Sequence, residues 1–149
     1  MNTLLKGFAA VALAGLATIA AAETDAEARA MLTAAQSELA AKGVTGAAKE
    51  FNAGGKWRGK NAYVVLVEFN GNMLAHADNI KLVGKNMFEA KDASGRPFVQ
   101  ETIKAVQTRA ESNIDLRWGN PNTKKIDNGK LMATRVPGQD AYVAIAYFE

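Results

Sequence analysis

The sequence predicts a single α+β domain built on one antiparallel sheet, and three observations carry that prediction. Five short strand-like segments, Ala62–Phe69, Met73–Ala77, Asn113–Trp118, Lys130–Val136 and Ala141–Phe148, follow one another with mostly turn chemistry between them. Helical periodicity stands ahead of the first segment and between the second and third. The first segment is apolar at Tyr63, Val64, Val65, Leu66 and Val67 without alternation, so both faces of the sheet must be covered there.

Residues 1–22 read as a leader, apart from the domain at residues 23–149. One cation, Lys6, precedes an apolar run over Phe8–Ala21 with small residues at Ala20 and Ala22, the pattern of a secretory signal with an Ala-x-Ala cleavage site. The run is about 14 residues, short of the ~20 that span a bilayer. A retained anchor helix is the other reading of the same run. After cleavage no stretch is apolar enough to span a membrane, and export is to the periplasm or the medium. Loss of Lys6 lowers the net charge from +3 to +2, and no run of five like charges occurs. Nothing in that balance favours nucleic acid. The chain has no cysteine. Disulfides, thiolate metal sites, c-type haem attachment and thiol nucleophiles are thereby excluded.

Thr24-Asp25-Ala26-Glu27 reads as a capping box opening a helix. Ala28, Met31, Leu32, Ala35 and Leu39 continue it at helical spacing until Gly43 stops it. A second, shorter helix from Thr45 carries Ala47, Ala48 and Phe51 and ends at Gly54-Gly55. Trp57, within GGKWRGK, is either a ligand wall or an anchor for its loop. Asn70-Gly71 between the first two strands predicts a tight type I′ hairpin, because both residues tolerate positive φ. Asn79–Asn86 is a loop or a single helical turn. Met87, Phe88 and Ala90 can pack inward, and Asp92-Ala93-Ser94-Gly95 is a turn. Pro97 suits a first helical position, and Phe98, Ile103 and Val106 form the stripe of the following helix. That helix and the loops before it are expected to roof the sheet face that the leading helix leaves open.

His76 is the only histidine, so no multi-histidine metal site can form, and H-E-x-x-H is absent. It reads as a polar pocket residue, a hydrogen-bonded structural histidine, or a general base oriented by Asp78 two residues on. Trp118 closes the third strand and Lys130 opens the fourth, which would bring them together at one end of the sheet. An ammonium beside an indole at an apolar pocket suits a small carboxylate; a solvated lysine and a core tryptophan are the plainer reading. Arg96 offers a guanidinium fork for the same purpose or points to water. Tyr63 and Tyr142 fit pocket walls or core. Glu68, Asp92, Glu101 and Asp115 lack the spacing of a hydrolytic pair or a calcium loop. No glycine-rich phosphate loop is present. No metal, cofactor or catalytic set is therefore expected.

Several ordered signals also carry a resemblance. They are Phe51, Trp57, the Asn70-Gly71 hairpin, Ala75-His76 before Asn79, and Leu82-Val83-Gly84-Lys85-Asn86. Asp92-Ala93-Ser94-Gly95-Arg96 with Phe98-Val99, Trp118-Gly119-Asn120-Pro121, Lys130 and Val136-Pro137-Gly138 complete the set. The chain resembles the single-Cache domain, the PAS-like extracytoplasmic sensor module of bacterial chemoreceptors and histidine kinases, which also occurs as a free-standing secreted protein. The resemblance implies a PAS-like five-stranded antiparallel sheet, a long N-terminal helix on one face and a helical and loop segment over the other. It also implies a pocket for a small organic acid or similar metabolite, with His76, Trp118 and Lys130 matching residues that line or border it. Two positions depart from the family pattern. Leu116 stands where a tyrosine often precedes the tryptophan, and Met132-Ala133-Thr134 stands where a tyrosine often follows the lysine.

The expected protein is thus a non-catalytic, exported sensor module. Lys130 and Arg96 would supply charge, His76 a hydrogen bond, and Trp118 and Tyr63 walls. It would act free-standing or through a membrane signalling protein or transporter. The alternative is an exported protein–protein interaction module with a vestigial pocket.

Overall fold

The computed structural model describes residues 12–149, with side chains from Thr24 onward. Residues 1–11 of the expected leader lie outside the described residues. The elements are α1 (Ala12–Asn52), β1 (Ala62–Glu68), β2 (Met73–His76), α2 (Phe98–Thr108), β3 (Ser112–Gly119), β4 (Ile126–Arg135) and β5 (Ala141–Phe148). The five strands form one antiparallel sheet in the order β2-β1-β5-β4-β3. This is the α+β architecture expected, with the PAS-like strand count. Among the described residues no helix is long and apolar enough to cross a membrane.

Helix α1 lies against β1, β2, β4 and β5. Ala28, Leu32, Ala35 and Leu39 are buried along its inner stripe. Its backbone breaks at Gly43 (φ 72°, ψ 176°), which separates the two helical segments as the sequence predicts. Its start differs: the helix runs through Thr24 from Ala12, so Thr24 does not cap a free end. The alanine-rich stretch before Thr24 has high helix propensity and simply continues the turn. Trp57 is buried edge-on against Phe51, with ring centroids 4.8 Å apart, and anchors its loop to the core.

The hairpin after β1 is not the expected type I′ turn. Gly71 N–H donates to Glu68 O (2.8 Å) and Glu68 N–H to Asn72 O (2.9 Å), so Phe69 and Asn70 are the central residues. Asn70 keeps a negative φ, and only Gly71 is left-handed, at 95°. That is a three-residue connection with glycine at the left-handed bulge position. Gly71 must also stay bare because a Cβ there would lie 2.6 Å from Phe88 N.

Strand β1 is buried along its apolar run, α1 covering one face. The other face is roofed by α2 and by the Ala77–Pro97 segment. Pro97 is the residue before the first helical turn, not within it. Strand β4 begins at Ile126, earlier than the expected Lys130, and pairs with the whole of β3. Asp127, Asn128 and Gly129 have turn-like composition, yet cross-strand pairing to Trp118, Arg117 and Leu116 draws them into the ladder.

Candidate functional site

A small cavity lies between the sheet and its α2 roof. Tyr63, Val65 and Val67 of β1, Met73 and His76 of β2, Leu116 and Trp118 of β3, Leu131 of β4, and Tyr142 and Ala146 of β5 form its floor and sides. Phe98 and Val99 of α2, with Leu82 and Met87 from the preceding loop, close it. The hollow follows from strand parity. Tyr63, Ala146 and Leu131 sit opposite one another on neighbouring strands and share a face, and alanine at the centre leaves space. The cavity encloses about 30 Å³, room for roughly two waters. Trp118 packs edge-on against Phe98, with centroids 5.2 Å apart.

No aspartate, glutamate, lysine or arginine is among the lining residues. His76 is held by several contacts. Its backbone N–H donates to Asn52 Oδ1 (3.0 Å), its Nδ1 accepts Asn79 N–H (2.9 Å), and its ring stacks on Tyr63 with centroids 4.8 Å apart. Burial pushes its pKa down to about 4, against the pull of the Asp78 charge. The Asn79 bond fixes the neutral tautomer with the proton on Nε2. Asp78 pairs with Arg58 at 2.7 Å and orients no imidazole nitrogen. The Tyr63 hydroxyl is pushed up by burial and by Asp78, and that of Tyr142 by burial, so both stay protonated. His76, Tyr63 and Tyr142 thus bring an imidazole N–H and two hydroxyl groups to the lining residues. Thr102 Oγ1, by contrast, is sealed in the core without a partner.

Of the five expected ligand-binding residues, Tyr63, His76 and Trp118 line this cavity, while Arg96 and Lys130 do not. Both border a separate outer cleft of about 450 Å³ with Asp92, Asp115, Arg117 and Glu149. The expectation that Lys130 approaches Trp118 fails for a geometric reason. Lys130 pairs with Asp115, three positions from Trp118 on β3, and successive strand side chains alternate faces. Its neighbour Leu131 takes the cavity side, and Lys130 leaves by the other face, 3.8 Å from Glu149 Oε1. Arg96 pairs with Glu101 and donates to Asp115 O (3.0 Å). It serves the edge of the sheet.

Asp92 organises that edge. Its Oδ1 accepts from Ser94 N–H, Ser94 Oγ–H and Arg96 N–H, and its Oδ2 from Arg117 N–H of β3. Burial works against its charge, but these donors outweigh it and hold the pKa down to about 2. Tyr142, read from the sequence as pocket wall or core, is both: it is buried in the core and lines the cavity. The signal that could have placed it is its spacing of four from Ala146, which puts both on one strand face.

The strand order and the cavity roofed by α2 define a PAS-like α+β fold. The single Cache domain 2 family model matches residues 11–148, and the chain belongs to that family. Similar solved structures show the same fold. One, "Periplasmic sensor domain of chemotaxis protein", is 17% identical with a TM-score of 0.64, covering 93% of this chain and 99% of that one. A methyl-accepting chemotaxis protein from Vibrio parahaemolyticus is 18% identical with a TM-score of 0.65, covering 91% and 92%. A third, titled for carboxylic acid recognition by a Cache chemosensory domain, is 19% identical with a TM-score of 0.65, covering 91% and 97%. No curated protein matches the chain.

Proposed function

We propose that this chain is an exported, extracytoplasmic sensor module that binds a small metabolite of carboxylic-acid size without converting it. The observation that carries the reading is the cavity under α2, with Tyr63, His76 and Trp118 on its wall and no charged residue in its lining. Family membership and the carboxylic acid recognised by one structural relative support it. The cavity is small as it stands, and Met73 and Met87 are the adaptable side chains that make way for an occupant. Residues 1–22 act as the export signal, and the ligand state passes to a membrane signalling protein or transporter.

Thermal denaturation of the full chain against a panel of small organic acids, amines and their neutral analogues tests this. A ligand at one hundred times its dissociation constant adds about 2.7 kcal/mol. Ala146→Val fills the hollow and is expected to remove the shift while leaving a folded protein. Silence across the panel would favour an exported interaction module, a reading to which the small volume of the cavity lends support.

A further inference from the structure

The cavity is lined by three side chains that carry hydrogen-bond donors and by no counter-charge. His76 Nε2–H and the Tyr63 and Tyr142 hydroxyls belong to groups that are uncharged at neutral pH. The charged group nearest His76 is negative: Asp78, on its own segment, is tied to Arg58 from the loop before β1, yet its charge still acts on His76 and Tyr63 and would repel an anion. The groups that meet the imidazole, Asn79 N–H and the Tyr63 ring, are neutral, as is Asn52 of α1 at the His76 backbone. Lys130 and Arg96, the cations expected to meet a carboxylate, are engaged outside the cavity. An ionised carboxylate entering here would lose its hydration and gain only neutral donors. Burial without a partner charge disfavours that form and raises an acid's pKa.

We infer that the cavity selects an uncharged short-chain carbonyl compound, a carboxylic acid being taken in its protonated form, with the carbonyl oxygen accepting from His76 Nε2–H. This deepens the sensor reading and rests on it. The apolar remainder of the lining takes the alkyl part. Selection is then by protonation state, which no ammonium or guanidinium in the cavity would produce.

Titration calorimetry of the full chain with propionate, propionamide and butanone, each at pH 7.5 and pH 5.5, tests the inference. The protonated fraction of a simple carboxylic acid rises by nearly 100-fold over that interval. The acid's apparent Kd is expected to tighten by roughly 50- to 100-fold, with amide and ketone within about twofold at both pH values. Lys130→Ala is expected to leave all affinities within about twofold, and Ala146→Val to abolish them. Propionate binding equally at both pH values while the neutral analogues fail would overturn the inference and leave the sensor reading standing. A tenfold loss in Lys130→Ala, or binding that survives Ala146→Val, would also overturn it. If none of the three compounds binds at either pH, the inference falls, while the sensor reading still stands or falls by the wider panel.

Discussion

His76 Nδ1 accepts the backbone N–H of Asn79 at 2.9 Å, which commits the imidazole to its neutral form at the cavity wall. Protonation would set one N–H against another and place a charge in an apolar lining. The unfolded chain takes up this proton near pH 6.5 and the folded chain near pH 4. The contribution of the neutral ring is therefore present above about pH 6.5 and lost as pH falls towards 4, a decline of roughly 3 kcal/mol. Denaturant titrations at pH 7 and pH 4.5 should show that loss, and His76→Gln should flatten it. An unchanged slope in the variant would exclude His76 as its source.

Asp92 responds in a lower window. Its folded pKa lies at about 2, below the ordinary 3.8, so its contribution holds above about pH 3.8 and disappears as pH falls towards 2. Asp92→Asn is expected to cost roughly 2–4 kcal/mol at pH 7, since several donors lose a charged acceptor. Hydrogen exchange of the Arg117 amide should accelerate in that variant more than exchange in β1.

Thr102→Val should stabilise the protein by about 1 kcal/mol. The hydroxyl is buried without a partner, and valine has nearly the same shape. A loss of stability would mean that Oγ1 is satisfied in solution, for instance by water.

Gly71→Ala should destabilise by about 3 kcal/mol. A left-handed backbone and a Cβ only 2.5 Å from Phe88 Cβ act together there. Gly84→Ala is the control. It has a similar φ of 84° but nothing within 4 Å, so its smaller loss isolates the backbone cost from the collision.

The sheet, its two coverings and the position of Gly43 were legible because each depends on local pattern. Apolar continuity in Ala62–Val67 marked a strand buried on both faces, and it is one. Tyr63, His76 and Trp118 were legible as wall candidates, and all three line the cavity. Lys130 was misplaced beside Trp118 because its facing depends on register. Only the pairing of Lys130 with Asp115 reveals which side of β4 it takes. The turn at Phe69-Asn70 was misread for a related reason. Asn-Gly fits two hairpin geometries, and the contact of Gly71 with the Asn86–Phe88 loop decides between them.

Asn52, at the end of α1, accepts from His76 N–H and donates to Leu74 O, occupying groups that β2 would otherwise present outward. On the opposite border, Ala93 N–H and Asp92 do the same for Arg117 of β3. A sheet whose two rims are engaged by its own chain gives a neighbouring molecule little backbone to template on. At those positions a strand from another molecule would find no free N–H or C=O to pair with.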